Sequence, residues 1–365
     1  MNQMSENVLK RSNEEALYNV LMYLIHLCNI EKCRTAKDAM SELGAAYSSM
    51  SSRNKRRYKI LSNGIAANPD IGLSEILCPV VSSDGFTACT FRRPDRKISV
   101  VFRGTGSGEW IDNGEALSGI PETNTYITYS TGGKEIYRHS VKNDYATRRQ
   151  VQALNYFSEA LSEIRFSRQA VVSVSGHSKG GNKAQFVAVN SDLVRECYSF
   201  SGQGFSPEAI SQFKSKNNVL FSQRCRNIIS ISAENDYVNV LGKRIMPESN
   251  VYYIRSSGGL HYAESILNSN GHLNPRTNQG IISEYVQNVS DELMKLNPDL
   301  RKYATVGVMS IFQKHFGGDT AGKNEASILS VIPDITATAG KILSDFINSG
   351  QYADDTALEQ HQSDF

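Results

Sequence analysis

The stretch VVSVSGHSKGGNKAQFVAV at 171–189 runs from β-branched and apolar residues through a glycine-flanked Ser178 into a segment with helical character. Its centre, GHSKG, fits the G-x-S-x-G pattern. In that pattern the serine sits at a strained strand-to-helix turn, and the neighbouring glycines avoid side-chain clashes so that the hydroxyl stands clear above a sheet. The segment before Ser178 supplies the strand, and NKAQFVAV supplies the helix. A helix beginning here aims backbone N–H groups and a positive dipole end at the place where an oxyanion would form. The plainer alternative is a tight turn with an idle serine.

Working outward, GFTACTFRR and KISVVFRG read as two strands joined at Pro94 and Asp95, a hairpin signal. RRQVQALNYFSEALSEIRF places Val151, Leu154, Phe157, Leu161 and Ile164 on one helical face. After the Ser178 helix come CYSFSG (197–202), NIISISAEND (227–236) and NVYYIRS (250–256), each short, apolar and bounded by turn residues. Strands alternating with helices imply a mostly parallel central sheet covered by helices on both faces, an α/β fold.

Around this core, residues 5–48 read as helical, with Leu17, Val20, Leu21 and Leu24 on one stripe. SSMSSRNKRR then reads as a connection, and the basic cluster RNKRRYK at 53–59 as a solvated face or a contact for an acidic surface. Residues 106–147, rich in Gly, Thr and Tyr with little periodicity, read as a long surface excursion. IISEYVQNVSDELMKL carries Ile282, Tyr285, Val289, Leu293 and Leu296 at helical spacing, and two further helical segments surround Gly317, Gly318 and Pro333. The expected organisation is an N-terminal helical region at 1–79, a core at 80–278 with a lid-like insertion at about 106–147, and a C-terminal helical extension at 279–365.

With 39 basic and 37 acidic residues spread along 365, no chain-wide field draws in nucleic acid. The N-terminus lacks the basic, apolar and small-residue regions of a signal peptide, and no apolar run is long enough to span a bilayer. Cysteines 28, 33, 78, 89, 197 and 225 show no metal-like pairing and are expected as buried reduced thiols. The default expectation is a cytoplasmic protein needing no metal or organic cofactor, with leaderless export left open.

A serine hydroxyl needs a histidine base, itself held in one tautomer by a carboxylate. In α/β-hydrolases the order along the chain is Ser, acid, His, so both partners lie after Ser178. Asp236 directly follows a strand, and the carboxyl ends of parallel strands face the active-site edge of such a sheet. Glu234, on the same face, and Asp192, after a helix, compete with it; an Asx-type turn at NDY is the structural alternative for Asp236. His261, in SSGGLHYAES just after a strand, is the candidate base, and His272 in NSNGHLNP is its rival. His315 belongs to an amphipathic helix, His361 to a polar tail, and His177 is expected to point away from the serine. The oxyanion hole calls for a backbone donor from an earlier loop, here Thr105 in FRGTGSGEW, together with the N–H of Lys179.

VVFRGTGSGEWIDN, VSGHSKGGNKA and ISAENDYVNVLG resemble the three landmark segments of the class 3, or fungal-type, lipases, and more closely those of a related bacterial lipase-like group. The resemblance covers roughly residues 80–275. It implies an α/β-hydrolase fold, and it assigns the oxyanion role to Thr105, the nucleophile to Ser178 and the acid to Asp236. It further implies a lipid or acyl-ester substrate, a lipase or phospholipase activity, and a lid over an acyl groove. Two departures stand out: Glu109 where the family often has Asp, and Lys179 in place of an apolar residue. A cation there either favours an anionic substrate or is taken up in a salt bridge. The functional expectation is a carboxylic ester hydrolase using Ser178, Asp236 and His261. The alternatives are a thioesterase or peptidase with the same triad, or a non-enzymatic scaffold that meets a partner or a membrane through its C-terminal helices.

Overall fold

In the computed structural model the described residues run from 4 to 305, leaving out 106–108, 121–125, 132–133, 140–144, 167–169, 217, 258 and 303. The N-terminal part holds helices α1 (Glu6–Met22), α2 (Ala36–Ala45), α3 (Ser52–Ala67) and α4 (Pro69–Gly72). Strands β1 (Glu75–Val81), β2 (Thr87–Arg92) and β3 (Ile98–Phe102) follow, then α5 (Trp110–Ser118), the hairpin β4 (Tyr126–Thr131) and β5 (Lys134–His139), and α6 (Arg148–Glu163). The second half reads β6 (Val172–His177), α7 (Lys179–Asn190), β7 (Val194–Phe200), α8 (Pro207–Lys216), α9 (Asn218–Cys225), β8 (Ile228–Ala233), β9 (Val251–Ile254), β10 (Arg276–Thr277) and α10 (Ile281–Leu293).

The main sheet has eight strands in the order β1-β2-β3-β6-β7-β8-β9-β10. Strands β3, β6, β7, β8 and β9 are parallel, while β1, β2 and β10 run antiparallel to their neighbours. This is an α/β-hydrolase fold.

Side-chain alternation sorts the strands onto two cores. Val100, Phe102, Val172 and Val174 pack with α6 and α7 on one face. Cys89, Phe91, Val101 and Tyr198 pack with α1, α2 and α3 on the other. That second face is not wholly apolar. Glu15 of α1 accepts hydrogen bonds from Ser99, Ser173 and Ser175 of β3 and β6 at 2.6–2.8 Å. Arg11, also buried, bonds Glu14 and Glu15. The alternating serines of SVVF and VSVS are thus the polar floor on which α1 sits, a role that their sequence spacing did not announce.

Several sequence expectations need correction. The region 1–79 is not helical throughout, because β1 starts at Glu75. Pro79 and a register break between Leu77 and Val80, with Cys78 at φ +47°, interrupt the alternation by which a strand is read. An edge position tolerates both features. SSMSSRNKRR is not a connection throughout: α3 starts at Ser52, with the Ser51 hydroxyl accepting from Asn54 N as its cap. The excursion expected at 106–147 is partly interior, since Asp112, Asn113, Ala116 and Leu117 of α5 are buried. The hairpin β4–β5 forms its own two-stranded sheet, and residues 106–108, 121–125, 132–133 and 140–144 of that insertion fall outside the described residues. On α10 the inward face carries Ile282, Ser283 and Ser290, while Tyr285 is exposed. The segments expected around Gly317, Gly318 and Pro333 lie outside the described residues, as do His315 and His361. Among the described residues no helix is long and apolar enough to cross a membrane.

Candidate active site

Strand β6 ends at His177 and α7 begins at Lys179, so Ser178 alone makes the corner. Its backbone sits at φ +59° and ψ −128°, which a non-glycine residue adopts only when its surroundings hold it there. Ser178 N donates to Phe200 O at 2.9 Å, and Gly181 N donates to Ser178 O at 2.8 Å. The corner closes only because Gly176 lacks a side chain: a Cβ there would lie 2.1 Å from the backbone of Gly180.

Asp236 lies three residues past β8 and is fully buried. Its Oδ1 accepts from Val238 N at 2.7 Å and Asn239 N at 3.1 Å, and its Oδ2 accepts from His261 Nδ1 at 2.8 Å. The Asx-type turn and the histidine contact therefore coexist, one on each carboxylate oxygen. A carboxylate only accepts, so Nδ1 of His261 carries the proton and Nε2 is left as acceptor. That Nε2 lies 2.9 Å from Ser178 Oγ, which donates to it. The structure thus brings Ser178, His261 and Asp236 into one hydrogen-bonded line.

The competitors lie elsewhere. Glu234 accepts from Ser256 N at 2.9 Å, Asp192 is exposed and pairs with Arg224, and His272 is exposed in a turn around Asn268.

Thr105 follows β3, on the loop that meets the serine corner. The close approach is at Gly104, where a Cβ would sit 2.6 Å from His177 O and 3.0 Å from Ser178 Cβ. The Thr105 hydroxyl accepts from Asn113 Nδ2 at 3.4 Å, which leaves its own proton free to donate. Lys179 is the first residue of α7, where an amide N–H has no acceptor within the helix. Its side chain turns away from the serine to pair with Asp112 and donate to Asp112 O at 3.1 Å. Burial by itself raises the Asp112 carboxyl, but Lys179, Arg149 N and Thr147 hold it below the ordinary carboxylate value. Lys183, one turn on, pairs with buried Glu109 and donates to Arg103 O at 3.3 Å. The charge beside the serine is consumed in pinning α5 to α7.

Sequence reading missed a second layer. His177 does not simply point away: its ring lies 4.9 Å from that of His261, tilted by 34°. Its Nδ1 lies 2.7 Å from the hydroxyl of Tyr23, the residue that caps α1. Burial, then His261 and Arg57, pushes the His177 imidazole well below its ordinary value, so it is neutral. The Tyr23 hydroxyl is thus the hydrogen-bond partner of Nδ1, and the buried Nε2 has no partner.

The basic cluster, in turn, grips the loop that carries His261. Arg57 Nε donates to Glu264 at 2.9 Å and its guanidinium lies over the Tyr23 ring. Arg53 donates to Tyr262 at 3.0 Å, and Arg56 to Ser257 O at 2.6 Å. Leu260 anchors the same loop in a small apolar cluster with Leu117, Tyr237 and Ile282. A helix of one sign flanking a histidine loop is the signal that was available. Among the described residues no group of three or more His, Cys, Asp or Glu side chains is placed to hold a metal ion.

A family profile described as Mbeg1-like matches residues 121–233, a span that includes the serine corner. No curated protein matches the chain. Among solved structures the chain is similar to a mutant form of MDLA from Penicillium cyclopium, at 12% identity and TM-score 0.41, over 78% of this chain and 92% of that one. It is also similar to the Rhizomucor miehei lipase in its propeptide complex, at 11% identity and TM-score 0.36, over 75% and 84%. A third is lipase II from Rhizopus niveus, at 12% identity and TM-score 0.36, over 71% and 84%.

Proposed function

We propose that the chain is a serine hydrolase that cleaves acyl esters through an acyl-enzyme, with a lipid ester, as for a lipase or phospholipase, as its substrate class. The observation that carries the reading is the buried line Ser178 Oγ, His261 Nε2, His261 Nδ1, Asp236 Oδ2, with both steps under 3 Å. His261 takes the Ser178 proton as the oxygen attacks the ester carbonyl, and Asp236 stabilises the imidazolium that forms. The alkoxide leaving group then takes that proton. Water, activated by His261, hydrolyses the acyl-enzyme in the second half.

The N–H groups of Thr105 and Lys179 serve the tetrahedral oxyanion, with the Thr105 hydroxyl as a third donor. Each such donor is worth about 2.7–4 kcal/mol in the transition state. In this reading Lys179 acts through its backbone alone, because its ammonium is spent on Asp112.

The test is Ser178→Ala against p-nitrophenyl esters, with a fluorophosphonate probe as the direct reporter of the serine. The wild type is expected to be labelled at Ser178 and to turn over the ester, and the variant to do neither while keeping its circular dichroism. An unlabelled wild-type serine, or turnover that survives the substitution, overturns the reading. Lipid profiling of products then reads the substrate: a free fatty acid with a lysolipid marks a phospholipase.

A further inference from the structure

Helix α3 carries five cationic side chains and no carboxylate within Ser52–Ala67. Its first turn is without an acid, so cations crowd the helix end that carries the positive pole of the dipole. Such an arrangement opposes folding unless something else compensates. Arg53 and Arg57, four residues apart, are accounted for by Tyr262, Tyr23 and Glu264. Lys55, Arg56 and Lys59 belong to a different stripe of the helix, and among the described residues none of them has a carboxylate partner.

These three line a cavity of about 590 Å³ between α3 and the segment 257–269. That is within the range of small-molecule sites. Asn63, Ser257 and Asn268 add neutral hydrogen-bonding groups to its wall, Ile60 and Leu267 give it an apolar floor, and no acidic residue lines it. Lys179, Lys183 and Arg149 are buried and ion-paired, whereas Lys55 and Arg56 are half-buried and Lys59 is exposed, and among the described residues no carboxylate meets these three on the concave wall.

We propose that this groove binds a phosphate-bearing ligand, with Lys55, Arg56 and Lys59 as its anion-recognising groups. Phosphate oxygens accept the charge-assisted hydrogen bonds that these side chains offer, and the apolar floor takes the organic part attached to the phosphate. The ligand also offsets the repulsion among the cations of α3. Arg56 is already bonded to Ser257 through O and Oγ, at 2.6 and 2.9 Å, four residues before His261. The site therefore lies on the flank of the loop that holds the candidate base. The binding does not depend on the hydrolase reading; only its placement of a phosphate headgroup beside the reacting ester does.

The experiment uses the full chain carrying Ser178→Ala, so that turnover cannot alter the probes. Inorganic pyrophosphate is titrated calorimetrically, and phosphatidylglycerol and phosphatidylcholine vesicles are tested by co-sedimentation. Lys55→Glu with Lys59→Glu is compared with Lys10→Glu with Lys214→Glu, an equal change of net charge on exposed lysines outside the groove. We expect the groove variant to lose about tenfold or more in affinity for whichever probe binds, because two of the three charge-assisted donors are replaced by carboxylates that repel phosphate. The control pair is expected to keep its affinity. Binding of pyrophosphate identifies a soluble phosphate as a sufficient ligand; binding of phosphatidylglycerol vesicles without pyrophosphate identifies a bilayer headgroup, and either result supports the site. Absence of binding to both probes, or equal losses in the two charge-reversed pairs, overturns it. Circular dichroism of each variant reports its folding, and the unsubstituted serine's reaction with fluorophosphonate separately reports the hydrolase reading.

Discussion

Tyr23 and His177 form a pair whose removal is predicted to be cheaper than the removal of either member. The phenol hydroxyl lies 2.7 Å from Nδ1, and the other ring nitrogen of His177 has no partner. Tyr23→Phe therefore leaves an almost fully buried imidazole with nothing to bond, and His177→Phe leaves the Tyr23 hydroxyl unpaired beside Gly104. Each single change is expected to destabilise by roughly 1–3 kcal/mol, the desolvation penalty of an orphaned polar group. Replacing both with Phe removes donor and acceptor together, an exchange that is close to neutral when shape is kept. The cycle should thus show a favourable coupling of about 2–6 kcal/mol, the sum of the two single losses, far outside the roughly 0.5 kcal/mol scatter of independent sites. Denaturant midpoints by circular dichroism measure it. The rate of fluorophosphonate labelling at Ser178 gives a second readout, because a Phe at position 177 preserves a flat ring 4.9 Å from His261. The double variant is expected to label within about tenfold of wild type, since a ring that keeps its place keeps the base aligned. Strictly additive losses, or a double variant slower than both singles, would refute the pairing.

Three further outcomes follow from the same geometry. Gly104→Ala puts a Cβ 2.3 Å from Tyr23 Oη and 2.6 Å from His177 O, so the Thr105 loop must retreat; labelling should slow by about a hundredfold for a shift near 1 Å. Lys179→Met leaves Asp112 buried without its cation and should destabilise by about 3–5 kcal/mol, and adding Asp112→Asn should recover most of that in the same denaturation assay. The Asp112 carboxyl titrates lower folded than unfolded, so its stabilisation is complete above the unfolded carboxylate range and is lost as pH falls below about 3.8. An acid titration of stability should accordingly be shallower for Asp112→Asn than for wild type.

What could be read from the chain and what could not divides along locality. The serine corner, the hairpin at Pro94 and the strand ending before Asp236 are written in neighbouring residues; the chemistry of a base-assisted alcohol called for a carboxylate and an imidazole, and the α/β-hydrolase pattern supplied the chain order in which to look for them. The layer behind them is not local. Glu15 in a helix looks solvated until Ser99, Ser173 and Ser175, scattered over two strands, are seen to donate to it. Tyr23 and His177 are 154 residues apart, and no pattern links them. Strand β1 was obscured by its own bulge, and α5 by a glycine-rich approach that hid a buried, ion-paired helix. In α3 the composition was visible, but a run of cations reads as solvent-facing until the loop it holds is in place.

Because Glu15 takes three hydroxyl donors from the sheet beneath it, helix α1 cannot slide. A greasy interface tolerates small axial creep; this one does not, since a shift by a single residue, about 1.5 Å, would strand a carboxylate in a dry interior. The last residue of that helix is next to Tyr23, so the phenol is delivered to His177 at a fixed height, as if set by a dowel. The chain's first helix is in this sense an alignment pin for an assembly whose other parts arrive more than 150 residues later.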